Sequence, residues 1–241
     1  MNCREYGFRF RGEPVFARIQ REAPTPPQQQ LDDDFFVYVM GPYTAFDASH
    51  PFSEDADTLE SPFIDDPLFD PDRHLIDDGR GSYESALAEF CQALRERYGV
   101  RAFLATDIDI PTETQADNGR ESMSVLDQSV AFAAVSDAVV FVFTEAGLTT
   151  GAGSEVGAIL GEFHLRDGNT EPIRKPRERF RIFKTASFTS ASIDEIPSTF
   201  GIDTVEFSTT EELVTKVGHF LANIERNDPD RVLPVFNPHT S

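Results

Sequence analysis

Lysine is scarce in this chain, with only Lys175, Lys184 and Lys216, and so is cysteine, with only Cys3 and Cys91. Two cysteines far apart and without a partner motif exclude a disulfide framework and a cysteine metal site. No apolar run reaches the length of about 18 residues that a membrane helix needs, and the N-terminus lacks the apolar core of a signal peptide. A soluble, cytoplasmic protein is therefore expected. The five histidines show no metal-ligand spacing, and neither a GxxxxGK[ST] phosphate loop nor a GxSxG elbow occurs. Neither metal nor cofactor is expected, and no internal repeat is visible.

What the chain has in excess is negative charge: 42 acidic against 21 basic residues, a net charge of -21. Without a basic face, non-specific binding to nucleic acid or to an anionic membrane is disfavoured. An acidic, lysine-poor surface suits a halophile-type protein working in molar salt, where mutual repulsion is screened.

Three segments follow from composition. Residues 1–31 form a basic arm, with Arg4, Arg9, Arg11, Arg18 and Arg21, and a Pro/Gln linker from Pro24 to Gln30. The alternation around Phe8 and Phe10 suggests a short strand or hairpin. Residues 32–227 carry the main domain, and 228–241 form a Pro-rich tail. Within the domain, residues 48–81 form an acidic, Pro-rich insertion whose length suggests either a functional lid or a salt-adapted embellishment.

Strands and helices alternate through the domain. Strands are expected at 35–40, 101–105, 138–143, 180–183 and 203–207. Helices are expected from Ser82, with the stripe Leu87, Phe90, Cys91, Leu94 and Tyr98, and from about Arg120 to Val135, apolar at Met123, Leu126, Val130 and Ala134. A third helix carries Glu155, and a fourth is capped by Ser208 with Glu211 at the reciprocal position. Five strands with right-handed crossovers give an α/β, doubly wound parallel sheet in the order 2-1-3-4-5, with helices on both faces.

The ligand crevice of such a sheet opens at the carboxyl ends of strands one and three. Gly41, Pro42, Tyr43 and Asp47 follow strand one, and Thr149, Thr150, Gly151, Gly153, Ser154 and Glu155 follow strand three. Asp107 and Asp109 follow strand two and flank the same edge. The small residues from Gly151 to Ser154 leave the backbone open to a substrate, and Glu155 is expected in the first turn of the next helix, ionised in the field of its N-terminus.

Met40-Gly-Pro-Tyr43, Ser136-Asp137 before an apolar strand, and Gly153-Ser-Glu155-Val-Gly157-Ala158 together resemble the nucleoside 2-deoxyribosyltransferase-like superfamily. That group comprises nucleoside deoxyribosyltransferases and nucleotide N-glycosidases. The resemblance spans roughly residues 35–225. It implies that Glu155 is the nucleophile at the anomeric carbon, that the Tyr43 region contacts the nucleobase, and that the small residues around Glu155 hold the sugar or its phosphate. It also implies a small nucleoside or nucleotide as ligand and a possible homodimer.

The chain departs from the pattern at Thr149 and Ser129, where the family carries aspartates. Asp127 lies two residues from position 129, about 200° around a helix, and is a poor substitute. Asp47, Asp107 and Asp109 are then the candidates for proton donor to the departing base. A non-catalytic nucleotide sensor or interaction module on the same fold is the alternative to an N-glycosidase or deoxyribosyl transferase.

Overall fold

The computed structural model describes residues 8–28, 35–41, 45–47, 66–68, 70–74, 80–116, 121–145, 149–165 and 175–227. The chain enters through a hairpin of β1 (Arg9–Phe10) and β2 (Glu13–Pro14), turned by Arg11 at φ 51° and Gly12 at φ 76°. Two successive left-handed residues are what a two-residue hairpin turn requires. Helix α1 (Val15–Glu22) follows. The first core strand is β3 (Phe36–Met40), and β4 (Ala45–Asp47), α2 (Pro71–His74), β5 (Arg80–Ser82) and α3 (Tyr83–Tyr98) come next. Strand β6 (Arg101–Phe103), α4 (Val125–Val135), β7 (Ala138–Phe143) and α5 (Thr149–Leu165) form the middle of the chain. Strand β8 (Phe180–Thr185), the short helices α6 (Ala191–Asp194) and α7 (Ile196–Phe200), β9 (Thr204–Phe207) and α8 (Thr210–Asn227) complete it.

The five-stranded sheet is wholly parallel and ordered β6-β3-β7-β8-β9, which in chain order is 2-1-3-4-5. The doubly wound fold expected from the sequence is the one observed. Every residue of β3 and β7 is buried, because helices cover both faces. One face packs Phe36, Tyr38, Phe141 and Phe143 against α1, α4 and α5. The other packs Val37, Val39, Val140 and Val142 against α3 and α8. Each fully buried side chain of this size contributes roughly 1.5–3 kcal/mol. Register between β3 and β7 is helped by Asp137, whose Oδ2 accepts from the Phe36 N–H at 2.9 Å at the sheet edge opposite the crevice.

Several local features differ from the sequence reading. The basic arm is part of the domain: Phe10, Val15, Ile19 and Ala23 are buried in the core, and Arg101 donates to the carbonyls of Gln20 and Ala23 at the end of α1. Helix α4 starts at Val125, capped by Ser124, whose Oγ accepts from the Asp127 N–H at 3.1 Å. Leu126, expected on the buried face of that helix, is 45% exposed. Ser82 lies in β5, with α3 starting one residue later. At α8 the capping pair is shifted by one residue, with Thr209 Oγ1 accepting from Glu212 N at 3.1 Å and Glu212 accepting from Ser208 N at 2.7 Å. Glu211 instead pairs with Arg97 of α3.

The insertion leaves and rejoins the domain through an antiparallel ribbon, in which Ala45, Phe46 and Asp47 of β4 face Ser82, Gly81 and Arg80 of β5. Most of it falls outside the described residues. At the far flank of the sheet, Lys184, Asp194, Pro197, Thr204, Glu206 and Lys216 line a polar cavity of about 440 Å³. Lys184 pairs with Asp194 at 2.6 Å, and Lys216 pairs with Glu212 at 2.7 Å while donating to the Glu206 carbonyl of edge strand β9. A lysine on an edge carbonyl protects that edge from pairing with another chain.

Candidate functional site

The winding of the sheet reverses between β3 and β7. Chain segments leave β3 toward α3 on one face and β7 toward α5 on the other, and the carboxyl ends of these strands form the switch point at which a doubly wound sheet has its ligand crevice. Gly41, Thr144 and the start of α3 stand at its walls, and the upper turns of α4 and α5 descend from it side by side.

Glu155 lies in α5, six residues after Thr149, hence about 9 Å along the axis from the helix start. This corrects the expectation of a first-turn glutamate. The run Thr149-Thr-Gly-Ala-Gly-Ser154 is helical where a loop was expected, because α5 begins soon after the strand. The field of a helix N-terminus fades within its first turn, so it does not keep Glu155 ionised. Burial dominates instead, and removing the carboxylate from water pushes the Glu155 pKa above the usual glutamate range. One group opposes this shift: Ser129 Oγ of α4 donates to Glu155 Oε2 at 2.9 Å and favours the ionised form.

The partner is notable for its position in the sequence. Ser129 is buried at 1% exposure on the face of α4 that meets α5. Asp127 is exposed and its carboxylate accepts from the Ser124 hydroxyl at 2.8 Å, so it belongs to the helix cap and not to the site. Next to Ser129, Gln128 donates to the carbonyls of Ile110 and Met123, which ties the loop before α4 to the helix.

The other sequence candidates separate into groups. Asp107 closes the turn after β6, its Oδ2 accepting from the Leu104 N–H at 2.8 Å. Asp109 is exposed, and its backbone docks α1 through Glu22 and Arg18. Both therefore have structural work on the β6 side of the sheet, and neither is bonded to Glu155. Gly41 is buried at the end of β3, where an added Cβ would meet Leu87 Cδ1 at 3.0 Å and the Val142 carbonyl at 3.3 Å. Its missing side chain makes room for α3, a packing role. An added Cβ at Gly153 would meet nothing within 4 Å, and Ser154 is exposed, so this part of α5 borders open space. Thr149, Thr150 and Gly151 are the first residues of α5 and Asp47 ends β4, but their side chains lie outside the described residues. Pro42 and Tyr43 lie outside the described residues entirely.

Sequence reading missed a polar cluster on the α3 side of the crevice. Thr144, the residue after β7, and Tyr83, the first of α3, are both fully buried. The Tyr83 hydroxyl is hydrogen-bonded to Thr144 Oγ1 and to Asp66 of the insertion. Burial beside the Asp66 carboxylate drives the phenol pKa up, so Tyr83 stays neutral. The only sequence signal for this cluster is a threonine that interrupts an apolar run at the end of the central strand. Asp66 is indistinguishable by composition from its acidic neighbours.

The switch point of this doubly wound sheet, with a half-buried carboxylate on one side and a polar cluster on the other, is the position at which open α/β sheets carry their ligand sites. The model of a family described as a domain of unknown function, DUF7509, matches residues 18–237, and the chain belongs to that family. Comparison with curated proteins gave no match. Among the described residues no helix is long and apolar enough to cross a membrane.

Proposed function

We propose that the crevice binds a nucleoside or nucleotide and that Glu155 attacks its anomeric carbon, making the chain an N-glycosidase or deoxyribosyl transferase. The observation that supports this reading is the hydrogen bond of 2.9 Å between Ser129 and Glu155. The resemblance to the deoxyribosyltransferase-like superfamily implies an aspartate at position 129 and the nucleophile at position 155, and the two positions, 26 residues apart, touch here although nothing in their local sequence requires it. In the proposed reaction a carboxylate oxygen of Glu155 bonds to C1′ as the bond to the base nitrogen breaks. The base leaves with a proton delivered by an acid of the crevice or by water. Water or a second base then displaces the glutamate from the opposite face, and two successive inversions at C1′ retain configuration overall.

A half-buried carboxylate suits this role in one respect: stripped of part of its hydration, its ionised form is the better nucleophile, and the Ser129 hydroxyl aims one oxygen so that the other is left for attack. A second reading, a nucleotide-binding module without turnover, is supported by the partner being a serine hydroxyl where the superfamily has an acid. Incubation with a panel of nucleosides, nucleotides and NAD in high salt, beside a Glu155→Gln variant, separates the two. Free base released by the wild type alone is the result expected. Tight binding of a nucleotide with no release supports the module, and neither binding nor release contradicts both.

A further inference from the structure

The described residues between β4 and β5 are fastened to α3, α8 and the end of β7 at named points. At its base is the ribbon in which Asp47 faces Arg80. Farther along, Asp66, Pro67 and Leu68 form a turn in which the Asp66 carboxylate accepts from the Leu68 N–H at 2.9 Å. Thr210, at the start of α8, donates to the Pro67 carbonyl, and Leu68 is buried among the α3 and α8 side chains. Beyond the turn, Arg73 reaches Glu89 of α3 at 2.8 Å. The polar centre of these attachments is Tyr83, with Asp66 of the excursion on one side and Thr144 of the central strand on the other.

This arrangement exceeds what packing needs. A phenylalanine fills the same hollow, and a hydroxyl is required only because two buried polar groups converge on it. The two groups come from the Asp66–Leu68 turn and from the carboxyl end of β7, so the turn is tied to the end of the sheet where the crevice is proposed. We propose that Tyr83 is a positioning residue for the ligand site: its hydroxyl holds the Asp66–Leu68 turn against Thr144, so that this turn is fixed beside the carboxyl end of β7 and sets how tightly a ligand is held. This inference rests on the crevice being the nucleoside site. Tyr83, fully buried, touches no ligand and leaves the chemical step to Glu155.

The test uses the full chain with Tyr83→Phe, Thr144→Val and Thr144→Ser, and reads two quantities. The first is hydrogen exchange of the peptide spanning residues 66–74, which needs no ligand. The second is calorimetric affinity for deoxyadenosine and deoxycytidine, with kcat and KM wherever base is released. Tyr83→Phe and Thr144→Val are expected to speed exchange and to raise Kd and KM by about tenfold each, with kcat changed by less than about twofold. Thr144→Ser, which keeps the hydroxyl, is expected to match the wild type. Should Tyr83→Phe fail to fold, Asp66→Asn applies the same test from the excursion side. Unchanged exchange, or faster exchange with unchanged Kd, overturns the positioning role alone. A wild-type chain that binds neither these nucleosides nor their 5′-monophosphates nor NAD overturns the nucleoside or nucleotide reading and the positioning role with it.

Discussion

At the scale of the residue, Glu155 is held between two opposed influences. Burial raises its pKa and the Ser129 hydroxyl lowers it, with burial the larger effect. If the ionised form is the nucleophile, turnover rises with pH through this elevated value. Ser129→Ala removes the opposing bond, so the acid limb of the kcat profile is expected to move to higher pH, while Ser129→Thr leaves it in place. An unmoved limb in Ser129→Ala would show that the hydrogen bond does not tune the carboxylate. Stability follows the same group. A carboxyl whose folded pKa is raised above its unfolded value contributes stability that is fully present below the unfolded pKa and lost as pH rises through the folded one. Glu155→Gln is therefore expected to flatten the fall in urea midpoint above the usual glutamate range and to stabilise the chain by about 1 kcal/mol at neutral pH. Equal pH slopes in the two proteins would contradict this.

At the scale of the element, the central strands were the most legible part of the sequence, because a run such as Ala138–Phe143, apolar on both faces, fits only a strand covered on both sides. The winding order followed from the handedness of crossovers. Helix starts were less legible. Gly151 and Gly153 read as loop residues, yet α5 begins at Thr149, since packing of Val156, Ile159 and Leu160 outweighs the weak cost of glycine in a helix. The α1 arm was misread because five arginines masked the spacing of Val15 and Ile19, which alone report its buried face. Lys175 was equally hidden: in a charged loop by sequence, it is buried and donates to the carbonyls of Ala133 and Ser136 at the end of α4. Tertiary contacts of this kind, like the Ser129–Glu155 bond, join distant segments and leave no local signature. Gly41 shows how a site candidate becomes a packing residue. Gly41→Ala is expected to destabilise the chain by about 1–3 kcal/mol by pressing a methyl into Leu87, leaving the ligand affinity of the folded fraction unchanged. Denaturant titration beside ligand titration of the same variant checks both halves.

At the scale of the whole molecule, charge decides the conditions under which the site is populated. A net charge of -21 on a chain of this size drives self-repulsion, and the described lysines neutralise little of it, each being engaged by carboxylates or backbone carbonyls of its own fold. The melting temperature is expected to rise as KCl is raised from about 0.1 M to about 2 M, over which the screening length falls from about 10 Å to under 3 Å. A melting temperature insensitive to salt would show that repulsion is not what limits stability. The parts of the fold that border the crevice, α4, α5 and the fastened turn of the excursion, are joined to the core by short-range packing and hydrogen bonds, and those survive screening. The central claim, that Glu155 is the nucleophile of a glycosyl transfer, is tested most directly by intact-mass and peptide mass spectrometry of the chain quenched during incubation with a 2′-deoxy-2′-fluoronucleoside, which slows breakdown of a glycosyl ester. The expected result is one added fluorodeoxyribosyl group on the peptide carrying Glu155, absent in Glu155→Gln; base release with no adduct, or an adduct on another residue, would contradict it.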